Sequence, residues 1–281
     1  MSGTLYLCPT PIGNLEDITV RVRRVLGEVS VIAAEDTRRT RILLNHIGVK
    51  ARLVSYHDHN AAERIPVLLA TLEGGGDVAL VSEAGTPALA DPGFKLVGAA
   101  IDAGLAVVSL PGASAVTTAL VVSGLPTDAF LFAGFLPRKR GERAHRLETL
   151  GRERHTVVIF ESPRRVVGVL RELAESWGPR PCALCRELTK LHEEILRGSL
   201  EEVADLMERR ETSEGTIKGE IVVVIGGATG PEAAAEFDAG LARALVVGLS
   251  AEGRTRSEAL ALAARHFGVS KNELYARTYK R

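Results

Sequence analysis

Four groups able to take a proton from a hydroxyl stand where apolar runs end: Glu35 and Asp36 after 29–34, His57 after 51–54, and Glu161 at the end of 155–161. Each has a structural alternative. Asp36 precedes a helical pattern and suits a helix cap, and Asp58 suits one in the same way. Three further apolar runs end in loops of small residues. Leu5-Tyr6-Leu7-Cys8 leads into Pro9-Thr10-Pro11-Ile12-Gly13-Asn14, Val78-Ala79-Leu80-Val81 into Ser82-Glu83-Ala84-Gly85-Thr86-Pro87-Ala88-Leu89-Ala90-Asp91-Pro92-Gly93, and Val107-Val108-Ser109-Leu110 into Pro111-Gly112-Ala113-Ser114-Ala115. Such loops bring backbone N–H and C=O groups close to a ligand, because Gly and Ala carry almost no side chain and Pro holds the path. Three strand-ending loops of this kind imply one crevice.

The elements that must position these residues follow from the apolar periodicity. Strand-like runs at 4–8, 29–34, 51–54, 77–81 and 106–109 alternate with helical patterns near 17–27, 38–46, 60–73, 93–103 and 113–124, the rhythm of a parallel α/β sheet. Gly124-Leu125-Pro126-Thr127-Asp128 breaks it. The second half reads as strand 129–134, helix 142–150, strand 155–161, helix 163–176, strands 181–187 and 193–197, helix 199–210 and strand 219–226, which predicts a mixed α+β sheet. Residues 228–236 form a Gly/Pro/Ala-rich linker. Three helical patterns follow, the last two at 255–267 and 270–280 around Gly268-Val269, with Ser270 as a cap. That spacing suits either a helix-turn-helix or a helical hairpin. The expected domains are therefore 1–124, 125–230 and a helical tail at 231–281.

In an open parallel sheet, ligands bind outside the C-terminal strand ends, where all three loops lie. No G-x-G-x-x-G follows the first strand and no Walker A sequence occurs, which excludes a dinucleotide fingerprint and a P-loop. Cys182-Ala183-Leu184-Cys185 has zinc or redox spacing but no second pair, and reads as part of a buried strand. No metal is expected. With three cysteines in 281 residues, no apolar run of membrane-spanning length and no signal-like N-terminus, the chain is expected in the cytoplasm.

Basic and acidic residues balance at 35 each, so no global charge points to nucleic acid. The distribution does. Residues 138–165 hold nine Arg and Lys against four Glu, with Arg138, Lys139, Arg140 and Arg143 concentrated after Pro137. Such a segment suits either phosphate contact or a solvated loop.

The three loops, together with Ala34-Glu35-Asp36-Thr37-Arg38, His57-Asp58-His59-Asn60, Phe160-Glu161-Ser162-Pro163-Arg164-Arg165, Arg186-Glu187-Leu188-Thr189-Lys190 and Gly219-Glu220-Ile221-Val222-Val223-Val224, closely resemble the tetrapyrrole (corrin/porphyrin) methylase superfamily. Within it they are most similar to the bacterial branch that methylates a cytidine 2′-hydroxyl of small-subunit ribosomal RNA. The resemblance implies S-adenosylmethionine folded between two domains, in contact with Pro11, the Gly85, Thr86, Pro87, Ala88 and Leu89 loop, Ser114 and Ala115. It also implies a homodimer acting on small-subunit ribosomal RNA or the assembled 30S subunit, with no membrane partner. The sequence departs from the family pattern at Glu83 (usually Asp), Ala113 (often Pro), Phe160 (Tyr) and Arg164 (His). The last change removes a candidate base and adds a charge for RNA. Members of the same superfamily that methylate tetrapyrroles or a diphthamide precursor, and a non-catalytic RNA-binding module, are the competing expectations.

Overall fold

A computed structural model of the chain describes residues 2–228, 239–251, 253–267 and 269–279. The first five strands, β1 (Thr4–Leu7), β2 (Val31–Ala34), β3 (Leu53–Ser55), β4 (Val78–Val81) and β5 (Ala106–Ser109), form a wholly parallel sheet in the order β3-β2-β4-β1-β5. Every residue of β2 and β4 is buried, as expected for strands covered on both faces. Their side chains alternate between two cores. Ile32, Ala34, Ala79 and Val81 meet α1 (Val20–Glu28) and α2 (Thr37–His46), whereas Val31, Ala33, Val78 and Leu80 meet α3 (Ala61–Glu73) and α4 (Gly93–Asp102).

The second sheet contains β6 (Phe130–Phe135), β7 (Thr156–Glu161), β8 (Pro181–Arg186), β9 (Glu194–Ser199) and β10 (Ile221–Ile225), ordered β6-β7-β10-β8-β9. Helix α6 (Arg140–Gly151) connects β6 to its parallel neighbour β7, and the remaining pairs are antiparallel, which gives the expected mixed sheet. Helices α6, α7 (Val166–Trp177) and α8 (Leu200–Glu214) cover its outer face. The inner face receives α5 (Ala115–Ser123), whose Val116, Ala119 and Leu120 pack on Val158, Ala183, Cys185, Val222 and Val224. Helix α5 thus follows the first sheet in the chain but is buried on the second, and this contact holds the two sheets together.

Strand alternation also settles the cysteine pair. Cys182 faces the outer core and Cys185 the inner one, so the two thiols of C-x-x-C point to opposite sides of the sheet. Burial pushes Cys182 up to about 12 and Cys185 to about 11.

Three helices start later than expected. Thr19 accepts the Val22 N–H at 3.1 Å and starts α1 at Val20, after a 3₁₀ turn at Leu15–Asp17 capped by Asn14. Ser114 is extended at φ −149°, so α5 starts at Ala115. A Ser162-to-Arg165 turn delays α7 until Val166. Helix α6 instead begins early, at Arg140, with Lys139 as its cap residue.

The C-terminal helices α9 (Ala239–Ala251), α10 (Arg256–His266) and α11 (Lys271–Tyr279) share a small core around Val246, Leu260, Ala263 and Leu274. Ser270 caps the last of them, accepting the Glu273 N–H at 3.2 Å. Gly268 and the expected linker beyond Ala228 lie outside the described residues. Among the described residues, no helix is long and apolar enough to cross a membrane.

Candidate active site

In a parallel sheet all C-terminal strand ends share one edge, and β4, β1 and β5 are adjacent, so the three small-residue loops emerge side by side. They are bonded to one another. Thr10 and Gly85 exchange backbone hydrogen bonds of 2.9 Å each way, and the Thr86 hydroxyl donates to the Ala113 carbonyl at 3.0 Å. Gly85 has φ +80°, and a Cβ there would stand 3.2 Å from Ile12 Cγ2. Glycine therefore supplies both the backbone conformation and the close approach between the first two loops.

The opposite wall comes from the second sheet. Its register sets the end of β7 beside the start of β10, with Glu161 opposite Ile221, and the end of β8 beside the same start, with Arg186 opposite Ile221. Between the walls lies a cavity of about 350 Å³, lined among others by Glu35, Leu89, Asp91, Ala115, Phe160 and Glu161. A second cavity of about 220 Å³, reached by Pro11, Arg39 and Lys190, shares Ile12, Ser82, Glu83, Ala84 and Glu220 with the first. The larger volume falls in the range of small-molecule sites.

The four candidate bases have different surroundings. Glu35 lines the larger cavity and accepts the Glu83 N–H at 3.3 Å. Burial raises its pKa above the usual carboxylate value; the Glu83 N–H opposes this, and the carboxylates of Asp91, Glu83 and Asp58 reinforce it. Asp36 caps α2, accepting the N–H groups of Arg38 at 2.7 Å and Arg39 at 3.3 Å, and those bonds hold its pKa down. His57 is not among the residues lining the two cavities; its Nε2 lies 3.4 Å from Asn60 Nδ2 and its Nδ1 is buried without a hydrogen-bond partner. Glu161 lines the cavity but is almost wholly buried, accepting from Arg165 and from the Ser162 N–H, both at 2.7 Å. Of the four, Glu35 combines access to the cavity with a raised proton affinity, and among the described residues it forms no ion pair.

The cofactor-loop residues expected from the sequence lie together here. Leu89 and Ala115 line the larger cavity, Pro11 lines the smaller, and Pro87 stands beneath them beside Tyr56 and Asp91. Ser114 occupies the α5 cap position, but its side chain makes no capping hydrogen bond. Thr86 and Ala88 are tied into the loop itself, Ala88 through its N–H to both Asp91 oxygens at 2.9 Å.

Several residues of the site carry little signal in sequence. Asp91 reads as an ordinary turn residue before Pro-Gly. Phe135 joins the cavity wall from β6. Where the two sheets meet, Arg39 pairs with Glu83 at 2.6 Å, and Lys190 with Glu187 at 2.8 Å and Glu220 at 3.4 Å. The Asn14 N–H donates to the Thr189 hydroxyl at 3.0 Å across the same junction. A Cβ on Gly13 would lie 2.7 Å or less from Lys190 Cγ, Thr189 Oγ1 and the Leu188 carbonyl. The charged Arg186–Lys190 turn is thus one contact between the first loop and the second sheet, beside the packing of Ile12 on that sheet.

The basic segment separates into two kinds of residue. Arg138, Lys139, Arg140 and Arg164 are exposed, with Lys139 in a 3.0 Å surface pair with Glu142. Arg143 is different. It donates twice to Glu172 at 2.7 Å and also to the carbonyls of Pro137 and Arg138, so it clamps the β6–α6 turn onto α7. Arg143→Ala is expected to lower stability by about 1 kcal/mol in chemical denaturation, more than a loss of one solvated charge would.

The family model for tetrapyrrole (corrin/porphyrin) methylases matches residues 4–204. A ribosomal RNA small subunit methyltransferase I from Mesorhizobium japonicum is 48% identical over 278 residues, which cover 99% of this chain and 92% of that protein. One of the same name from Mycobacterium tuberculosis is 44% identical over 277 residues, covering 98% and 94%. Among solved structures, cobalt precorrin-4 methyltransferase, a cobalamin biosynthetic enzyme, is similar with a TM-score of 0.59 at 19% identity, covering 79% of this chain and 94% of that one. Uroporphyrin-III C-methyltransferase from Thermus thermophilus, in complex with S-adenosyl homocysteine, gives 0.55 at 21%, covering 80% and 97%. Those structural likenesses are of fold. On the family match and the sequence identities together, the chain belongs to the tetrapyrrole (corrin/porphyrin) methylases.

Proposed function

We propose that the protein is an S-adenosylmethionine-dependent methyltransferase whose acceptor is the 2′-hydroxyl of a cytidine in small-subunit ribosomal RNA. The observation that carries this reading is the convergence of three bonded small-residue loops on one cleft, in a chain 48% identical to a protein named for methylating that RNA.

The residues present fit the cofactor. Leu89, Phe135 and Phe160 offer apolar and aromatic walls for a purine, and the start of α5 at Ser114 and Ala115 offers N–H groups for a carboxylate. Bound there, S-adenosylmethionine supplies an activated methyl group on a sulfonium with a neutral thioether as leaving group. The chain's own task is alignment. The loops after β1, β4 and β5 fix one reactant, and the smaller cavity beside Arg39 and Lys190 leaves room for the other. Glu35 in its ionised form accepts the ribose hydroxyl proton, and the buried Glu161–Arg165 pair holds the second wall in place.

The exposed cations Arg138, Lys139, Arg140 and Arg164 are the phosphate contacts in this account. Replacing the first three by Ala is expected to reduce the salt dependence of RNA binding by about one unit of slope per lost contact. S-adenosylhomocysteine affinity, measured by calorimetry, should not change. Retention of the full salt slope would remove the segment from the RNA interface, and failure of the wild-type chain to bind S-adenosylhomocysteine would favour a non-catalytic RNA-binding module. The enzyme is further proposed to act in the cytoplasm as a homodimer, for which light scattering should give the mass of two chains.

A further inference from the structure

The loop between β4 and α4 contains two alanines in the left-handed backbone region, Ala88 at φ 70° and Ala90 at φ 62°. A residue with a Cβ persists there only when its surroundings impose the conformation, and such outliers gather at ligand-binding loops. The imposing group is Asp91. Both of its carboxylate oxygens lie 2.9 Å from the Ala88 nitrogen, and Oδ1 also accepts the Gly93 N–H at 2.7 Å. The carboxylate thereby ties the loop to the first residue of α4.

Packing around this clamp is close. A Cβ on Gly93 would fall 2.7 Å from Asp91 Oδ1, 2.9 Å from Leu80 Cδ2 and 3.0 Å from the Ala88 nitrogen, so only glycine admits the arrangement. From below, the buried Tyr56 hydroxyl donates to the Pro92 carbonyl at 3.1 Å. Asp91 and the two residues before it, Leu89 and Ala90, line the larger cavity. The clamp stands at the wall of the cleft and not in the body of the domain.

We infer that Asp91 is a positioning residue: by holding the Ala88 and Gly93 N–H groups together, it presets the Gly85–Leu89 loop in the shape that receives the cofactor. This assignment rests on the functional reading above. Preorganisation of this kind lowers the ordering cost of binding. Asp91→Asn keeps the size of the side chain but replaces one acceptor oxygen with an N–H₂ donor aimed at the Ala88 N–H.

The test is calorimetric binding of S-adenosylhomocysteine to the full-length chain, with methyl-transfer kinetics alongside. Asp91→Asn is expected to weaken binding at least about tenfold and to raise the cofactor KM in parallel. Adding Ala88→Gly and Ala90→Gly to Asp91→Asn should recover most of the lost affinity, because glycine adopts positive φ without a clamp. A merely structural role would lower thermal stability without rescue of the affinity by the two glycines. Wild-type affinity in Asp91→Asn, or a loss that the two glycines leave in place, would overturn the assignment alone. A wild-type chain that binds no S-adenosylhomocysteine would overturn the functional reading and this assignment with it.

Discussion

Glu35→Gln is expected to slow single-turnover methyl transfer by at least ~100-fold with both substrates saturating, the lower end of what a general base contributes. The amide keeps an oxygen for the Glu83 N–H, so neither the loop nor cofactor affinity should change. Two further signatures separate this role from a packing effect. First, the wild-type rate should fall as pH drops through a value above that of an ordinary glutamate, because burial raises the Glu35 pKa and only the ionised form accepts a proton. Second, the variant should be the more stable protein at neutral pH. With a folded pKa above the unfolded one, the native state binds more protons in the window between them. Stability then falls as pH rises through that window, and Gln removes the loss. Asp36→Asn, by contrast, preserves a good cap residue and should retain a near-normal rate. If Glu35→Gln and Glu161→Gln both turn over normally, alignment with proton loss to water replaces the general base in this account.

Gly85→Val is expected to weaken S-adenosylhomocysteine binding by at least ~1.4 kcal/mol, a tenfold change in Kd. Two costs combine there. At φ +80° a β-branched residue is strained by about 1–3 kcal/mol, and the added Cβ meets Ile12 Cγ2 at 3.2 Å. The loop relieves both by moving off the Thr10 bridge, which spreads the first two loops apart at the cavity they share. Wild-type affinity by calorimetry in a folded Gly85→Val protein would remove this loop from the cofactor site.

Much of this site can be read from sequence because the signal is local. Apolar runs ending in Gly, Pro and Ala mark strands that open into ligand loops, and a parallel sheet brings those ends to one edge whatever the strand order. Residues whose role depends on a distant partner were harder to place. Arg143 looks like one more cation of a basic segment, yet its partner Glu172 lies on α7, 29 positions away. Asp36 has the same residue type and position whether it caps a helix or serves as a base, and only its bonds to Arg38 and Arg39 distinguish the two. Asp91 carries no periodic signal at all. Its importance appears only with the left-handed alanines that it holds, and a backbone angle is not written in the residue name. The burial of α5 on the second sheet was likewise hidden, since an apolar helix after a strand fits either sheet equally well.

The most direct test of the central claim is to incubate the purified protein and S-adenosylmethionine with 30S subunits from a strain lacking the corresponding gene, then map the methylated ribosomal RNA by mass spectrometry. The account predicts one added methyl group on the ribose of a cytidine, absent when Glu35→Gln is used over the same interval. A methyl group on a base, no transfer to subunits or RNA, or transfer only to a tetrapyrrole acceptor would contradict it.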